Sequence, residues 1–184
     1  MVHTPTLIDQ STRRATQPLP WRMPREVHQD RFLIVGCGNR LYGDAAVGPL
    51  VATTVSSWGL SSVESMIVEQ LDPDLVFHLS KADYVIFIEP CAETNPAQTT
   101  QIYPICIKSP TSERVHVADN RCDPETLLLL SQQLHNSCPQ SWLIKIPTEG
   151  FETRQKLSST AQTGISQALK TVAQFLRTYQ QPQR

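Results

Sequence analysis

The segment Ile34–Gly48, IVGCGNRLYGDAAVG, holds the residues of this chain that are best suited to chemistry. An apolar stretch typical of a buried strand leads into two spaced glycines, and a small-residue stretch typical of a helix follows. One kind of site with this pattern holds a dinucleotide phosphate at the helix N-terminus, and another carries acidic metal ligands. Asp44 is either a helix N-cap or such a ligand. The residues expected to shape the loop are Gly36, Gly38, Asn39 and Gly48.

The dinucleotide interpretation is incomplete in this loop. It needs a third glycine three residues after Gly38, and Leu41 occupies that position. Asp44 would also place a carboxylate where a pyrophosphate lies. Glu69, near the end of the second predicted strand, could bind a ribose. A nucleotide-binding α/β domain therefore remains an alternative.

The size and charge of the chain limit the classes of partner. Its 184 residues predict one domain, and a net charge of −1 offers no basic field for nucleic acid. No apolar run approaches the roughly 20 residues that span a membrane. The N-terminal sequence lacks the pattern of a secretory signal peptide, and the five cysteines form no CxxC pair. We therefore expect a cytoplasmic protein with reduced thiols and neither a nucleic-acid nor a membrane partner.

Alternating apolar and polar segments predict an α/β fold of three layers. The predicted order is βαβαβ, then one strand, then αβα, which indicates a mostly parallel open sheet of about five strands. Residues 31–178 are predicted to form this domain. Residues 1–30 are expected to be a flexible N-terminal extension, and residues 179–184 a C-terminal tail.

One strand is expected to run against the others. The link between Pro90 and Thr99 is too short for a helical crossover, so TQIYPICIK is predicted to be antiparallel. Pro104 within this segment favours an edge position because proline has no N–H for a second ladder. The residues predicted to cap later helices are Asp72, Asp123 and Ser158.

Four segments in order resemble the hydrogenase maturation proteases, the cytoplasmic endopeptidases that trim the large subunit of nickel–iron hydrogenases. The family signature G-x-G-N-x-L-x-x-D-[DE]-[GA]-x-G is similar to GCGNRLYGDAAVG in length and register. The similarity continues through EQLDPDLVFHLSKADYVIFIEP, CDPETLLLLSQQL and WLIKIPTEGFETRQKLSSTA. It covers about residues 31–178 and implies a metal-dependent endopeptidase fold.

The resemblance implies three metal-ligand positions suited to nickel or zinc. In this chain they fall on Ala45, Glu89 and Asn120. Ala45 cannot bind a metal, and the amide oxygen of Asn120 is a weak ligand, so Glu89 is the main expected ligand or base. The residues that could substitute are Asp44, His116, Asp119 and Cys122.

The resemblance implies a partner and two interpretations of the activity. The protein would bind the C-terminal extension of a nickel–iron hydrogenase large subunit after nickel insertion, as a monomer. In the first interpretation, nickel carried by the substrate, or bound weakly, docks against Glu89 with support from Asp44, and a polarised water cleaves the peptide bond. In the second, Ala45 and Asn120 mark an inactive homologue that acts as a peptide-binding assembly factor or regulator. The sequence leaves this choice open.

Overall fold

A computed structural model describes residues 29–92, 99–107, 122–151 and 156–180, in which helices cover both faces of a five-stranded sheet. The strands are β1 Phe32–Cys37, β2 Val63–Val68, β3 Tyr84–Cys91, β4 Gln101–Ile105 and β5 Gln140–Pro147. The helices are α1 Val47–Ser56, α2 Val76–Leu79, α3 Pro124–His135 and α4 Ser159–Tyr179. Short 3-10 turns, Gly43–Ala46 and Pro73–Leu75, precede α1 and α2. The predicted three-layer α/β fold is confirmed.

The strand order is β2–β1–β3–β5–β4. Neighbouring strands are parallel except for β4, which pairs antiparallel with β5. The predicted antiparallel edge strand is therefore confirmed. Pro104 lies opposite Trp142 in this pair. Because β4 pairs only with β5 among the described strands, the missing N–H of Pro104 interrupts no second ladder.

Each face of the sheet has its own apolar core. Alternate residues of β1 and β3 enter opposite cores because successive strand side chains point to opposite faces. The strand residues in the core under α1 and α4 include Phe32, Ile34, Ile86, Ile88 and Ile144. Those in the core under α2 and α3 include Leu33, Val35, Val85 and Phe87. All six residues of β1 are buried, as a strand covered on both faces requires.

Helices α3 and α4 and the 3-10 turn Pro73–Leu75 begin at the residues that the sequence predicts. The side chains of Asp72, Asp123 and Ser158 each accept a hydrogen bond from a backbone N–H in the first turn. The donors are Asp74 at 2.9 Å, Thr126 at 2.7 Å and Ala161 at 3.0 Å. These caps satisfy N–H groups that have no partner within their own helix.

Parts of the predicted organisation lie outside the described residues. They include residues 1–28, 108–121 and 181–184. Within the described part of the chain, no helix combines the length and the apolar character needed to cross a membrane. The carboxyl ends of β1, β3 and β5 meet at one edge of the sheet, which is where open α/β folds bind ligands.

Candidate functional site

The glycines after β1 allow very close backbone packing. A Cβ atom on Gly36 would lie 2.3 Å from the carbonyl oxygen of Gly48, and one on Gly48 would lie 2.2 Å from that of Cys37. Gly38 has a φ of +135°, and its Cβ would lie 2.0 Å from the carbonyl oxygen of Ala45. Any side chain at these positions would push α1 away from β1. The glycines thus explain how the turn packs against the sheet without any bound phosphate.

Asn39 fixes the turn and connects it to the end of β2. Its Oδ1 accepts a hydrogen bond from the backbone N–H of Leu41 at 2.8 Å. Its Nδ2 donates to Oε1 of Glu69 at 3.1 Å. Glu69, the residue that the nucleotide-binding interpretation assigns to a ribose, is therefore already bonded to the loop. This arrangement gives both polar residues a structural explanation.

Asp44 is buried and fully hydrogen-bonded. Only 2% of its surface is exposed, and it lies inside the turn Gly43–Ala46. Its Oδ1 accepts from the backbone N–H of Ser158 at 2.7 Å. Its Oδ2 accepts from the Ser158 hydroxyl at 2.6 Å and from the backbone N–H of Glu149 at 2.8 Å. The interpretation of Asp44 as an N-cap is wrong, because its partners lie in the segment before α4.

These bonds set the ionisation of Asp44. Burial acts to raise the pKa of its carboxyl group, but the hydrogen bonds from Ser158, Glu149 and Gly150 outweigh burial and lower that pKa. The carboxylate form is therefore the stable one in the folded protein. A metal ion could bind Asp44 only after displacing donors that already hold both of its oxygens. Its role as a substitute ligand stays a prediction.

Glu89 occupies a different environment near the end of β3. Its neighbour Ile88 packs into the core under α1 and α4, so strand alternation directs Glu89 to the α2 and α3 side. Burial raises the pKa of the Glu89 carboxyl group; the positive charge of Lys145 acts to lower it, and the negative charge of Asp123 to raise it. The net effect is a raised pKa. A partly buried acid with altered proton affinity is suited to proton transfer.

Lys145 is the residue of this site that the sequence analysis missed. The β3–β5 register places it beside Glu89. Both strands are parallel, so the two side chains emerge on the same face of the sheet. The available signal was a single charge inside the apolar run SWLIKIP. An ammonium group beside Glu89 supplies one positive charge there without any metal.

Two thiols near the carboxyl ends of the strands, those of Cys37 and Cys122, have raised pKa values. Cys37 is buried, and burial together with the negative charge of Glu89 raises the pKa of its thiol. The pKa of Cys122 is raised as well, by burial first and then by the charges of Asp123 and Asp72. A raised pKa keeps these thiols protonated and weak as nucleophiles or metal ligands. Cys37 therefore acts as a small apolar residue of the core.

The described residues do not fit a resident nickel or zinc ion. Ala45 offers only a methyl group at the first ligand position, and the oxygens of Asp44 are occupied. His116, Asp119 and Asn120 lie outside the described residues. Among the residues that are described, no group of three or more His, Cys, Asp or Glu could hold a metal ion. Glu89 alone would hold a divalent transition ion poorly.

This chain is similar to known proteins in its fold and not in its sequence. No protein-family model and no curated protein matches this chain. The fold is similar to the hydrogenase maturating endopeptidase HybD from E. coli, with 19% identity and a TM-score of 0.59 over 80% of this chain and 93% of that one.

Two archaeal structures give similar values. The hydrogenase 2 maturation peptidase from a Thaumarchaeota archaeon has 21% identity and a TM-score of 0.60 over 80% of this chain and 99% of that one. The [NiFe] hydrogenase maturation protease HycI from Thermococcus kodakarensis has 16% identity and a TM-score of 0.59 over 82% of this chain and 94% of that one. At such identities the likeness concerns the fold. The fold of this chain is that of the hydrogenase maturation protease family.

Proposed function

We propose that this protein binds the C-terminal extension of a nickel–iron hydrogenase large subunit. The observation that carries the proposal is the fold shared with three hydrogenase maturation proteases over about four fifths of the chain. The segment GCGNRLYGD, which resembles the family signature, lies at the edge where open α/β sheets bind ligands. The protein would act in the cytoplasm as a monomer, and light scattering of the purified chain would test the monomeric state.

In the first candidate function, the bound extension is cleaved. Nickel already held by the cysteines of the substrate docks beside Glu89, and Glu89 takes a proton from the attacking water. The water oxygen adds to the scissile carbonyl carbon, the C–N bond breaks, and the released amine takes up a proton. Lys145, which lies beside Glu89 in the β3–β5 register, would stabilise with its charge the oxyanion that forms on that carbonyl. The chain itself supplies the carboxylate and the ammonium group.

In the second candidate function, the extension is bound but not cleaved. Two observations favour it: Ala45 stands at an expected ligand position, and both oxygens of Asp44 are held by backbone and hydroxyl donors. The fold would then serve as a peptide-binding assembly factor or regulator. The chemistry of the described donors supports this candidate more strongly than the first.

A single experiment separates the two. The full chain is incubated with a nickel-loaded large-subunit precursor, and the mass of the precursor C-terminus is followed while complex formation is measured by light scattering. Glu89→Gln is compared with Glu125→Gln, a matched change at an exposed position of α3. Cleavage that is lost only with Glu89→Gln supports the protease. A stable complex without cleavage supports the binding factor, and no complex with any nickel–iron precursor contradicts the proposal.

A further inference from the structure

A groove lies between α1 and the edge strand β2, on the side of the sheet opposite to Glu89. Its volume is about 390 Å³. The polar residues that line it are Arg40, Thr53, Ser56, Ser57 and Ser65. Ile67 contributes an apolar surface and is 45% exposed. None of the described residues that line it is a carboxylate.

Arg40 gives this groove a positive charge. Its Nη2 donates a hydrogen bond to Oγ1 of Thr53, and that hydroxyl donates in turn to the carbonyl oxygen of Pro49 at 2.7 Å. The guanidinium is thereby held against α1. Among the described residues, no acidic side chain forms an ion pair with Arg40. Most of its five N–H groups remain available for an oxyanion, which a guanidinium binds with two parallel bonds.

The β2 side of the groove carries an unsatisfied donor. Oγ of Ser65 is buried and has no hydrogen-bond partner among the described residues. Buried hydroxyl groups normally have a partner, so this atom needs an explanation. Glu64, the adjacent residue, contacts Nδ1 of His78 at 3.0 Å on the other face of the sheet and contributes no charge to the groove. Because Ser65 lines the groove, a change of its χ1 rotamer would turn this hydroxyl toward a ligand oxygen, which would supply the missing partner.

The outer edge of β2 also offers backbone groups. Among the described strands, β2 pairs only with β1. An edge strand of this kind can receive an extended peptide as an added strand, with pockets for alternate side chains giving selectivity. Ser65 and Ile67 are two residues apart and both face the groove, which matches that spacing.

We propose that the groove binds a carboxylate side chain of an extended acidic peptide that pairs with the outer edge of β2. The carboxylate lies against Arg40 and Ser65, and an adjacent apolar side chain of the peptide covers Ile67. The site uses neither Glu89 nor Lys145, and its test does not depend on the function proposed above, although Arg40 belongs to the segment GCGNRLYGD. Its ligand is an anionic peptide side chain rather than a metal ion.

The test uses the full chain labelled with nitrogen-15 and two blocked heptapeptides of alternating valine and threonine. One has a central glutamate, and the other has glutamine there. Dissociation constants come from the shifts of the β2 backbone amide signals. We expect the glutamate peptide to bind about tenfold more tightly, as charge-assisted bonds to a guanidinium provide. Arg40→Gln should abolish this preference, whereas Arg177→Gln at an exposed position of α4 should preserve it.

Two results would overturn the proposal. One is equal binding of both peptides to the unmodified chain. The other is a shift of the Arg40 and Ser65 amide signals with inorganic phosphate but no preference for the glutamate peptide. The groove would then bind a free oxyanion and not an acidic peptide. Ser65→Ala provides a second variant that leaves the charge intact. Ser65→Ala should raise the dissociation constant of the glutamate peptide several-fold, while amide signals away from the groove stay unchanged.

Discussion

Asp44 and Glu89 are two acidic residues in similar places in the fold, but their hydrogen bonds and the directions of their pKa shifts differ. Each lies near the carboxyl end of a parallel strand of the sheet. Asp44 has donors on both oxygens and a lowered pKa, whereas Glu89 is partly buried beside one cation and has a raised pKa. The comparison shows that position at a strand end does not decide the role of an acid. The hydrogen-bond donors, burial and neighbouring charges around the acid decide its role.

The largest change in stability is expected when the Asp44 carboxylate is removed. Asp44→Ala leaves the N–H of Glu149 and both donors of Ser158 without their acceptor in a buried place. We expect a loss of about 3 kcal/mol in the free energy of unfolding, measured by urea denaturation. Asp123→Ala is the control, because it removes an exposed cap worth about 1 kcal/mol. Equal losses in the two variants would contradict a structural role for Asp44.

Removing the donor side of the same contact should have a smaller effect. Ser158→Ala deletes the hydroxyl that donates to Asp44 and caps α4, but it keeps the backbone N–H that also reaches Asp44. A loss of about 1–2 kcal/mol is expected from the same denaturation experiment. Ser159→Ala, one residue later and exposed, is the matched control and should change little. A large effect of the control would point to helix propensity as the cause.

The two acids should also give pH dependences of opposite sign. The folded pKa of Asp44 is lowered, so its stabilisation is present above the unfolded pKa and is lost as the pH falls toward the folded one. The folded pKa of Glu89 is raised, so its ionisation costs stability as the pH rises from the unfolded pKa toward the folded one.

Unfolding free energies measured between about pH 3 and pH 7 test these signs. Asp44→Asn should flatten the loss of stability in acid. Glu89→Gln should make stability rise more steeply with pH, because the opposing contribution is gone. If both variants change the slope of unfolding free energy against pH in the same direction, the opposite signs assigned to Asp44 and Glu89 are wrong.

The smallest effect is expected from metal ions. Isothermal titration of nickel or zinc chloride into the purified chain should show no tight single site. The positive charge of Lys145 repels a cation from Glu89, and hydrogen-bond donors already hold both oxygens of Asp44. Lys145→Gln removes the competing ammonium group and should strengthen any weak binding. Tight binding to the unmodified chain that disappears with Glu89→Ala would instead show a resident metal.

The sequence predicts the parts of this molecule that depend on local chemistry. The caps at Asp72, Asp123 and Ser158 follow from a polar residue before a helical pattern. The edge position of β4 follows from a short link and Pro104. In each case the signal is a local feature of the sequence.

What the sequence does not predict depends on distant contacts. The partner of Asp44 is Ser158, which is 114 residues away, and no local pattern connects them. The pairing of Glu89 with Lys145 requires β5 to lie beside β3 in one particular register. A shift of one residue would place Lys145 on the other face of the sheet. Periodicity identifies strands, but it does not give their order or register.

The strand order has a consequence for how the chain is made. β5 lies between β3 and β4 in the sheet, although it follows both of them in the sequence. During synthesis at roughly 5–20 residues per second, β3 and β4 therefore wait on the order of seconds for residues 140–147 to emerge. Until then the open edge of β3 has no partner on that side. A ribosome stalled before β5 would present that edge to chaperones or to other nascent chains.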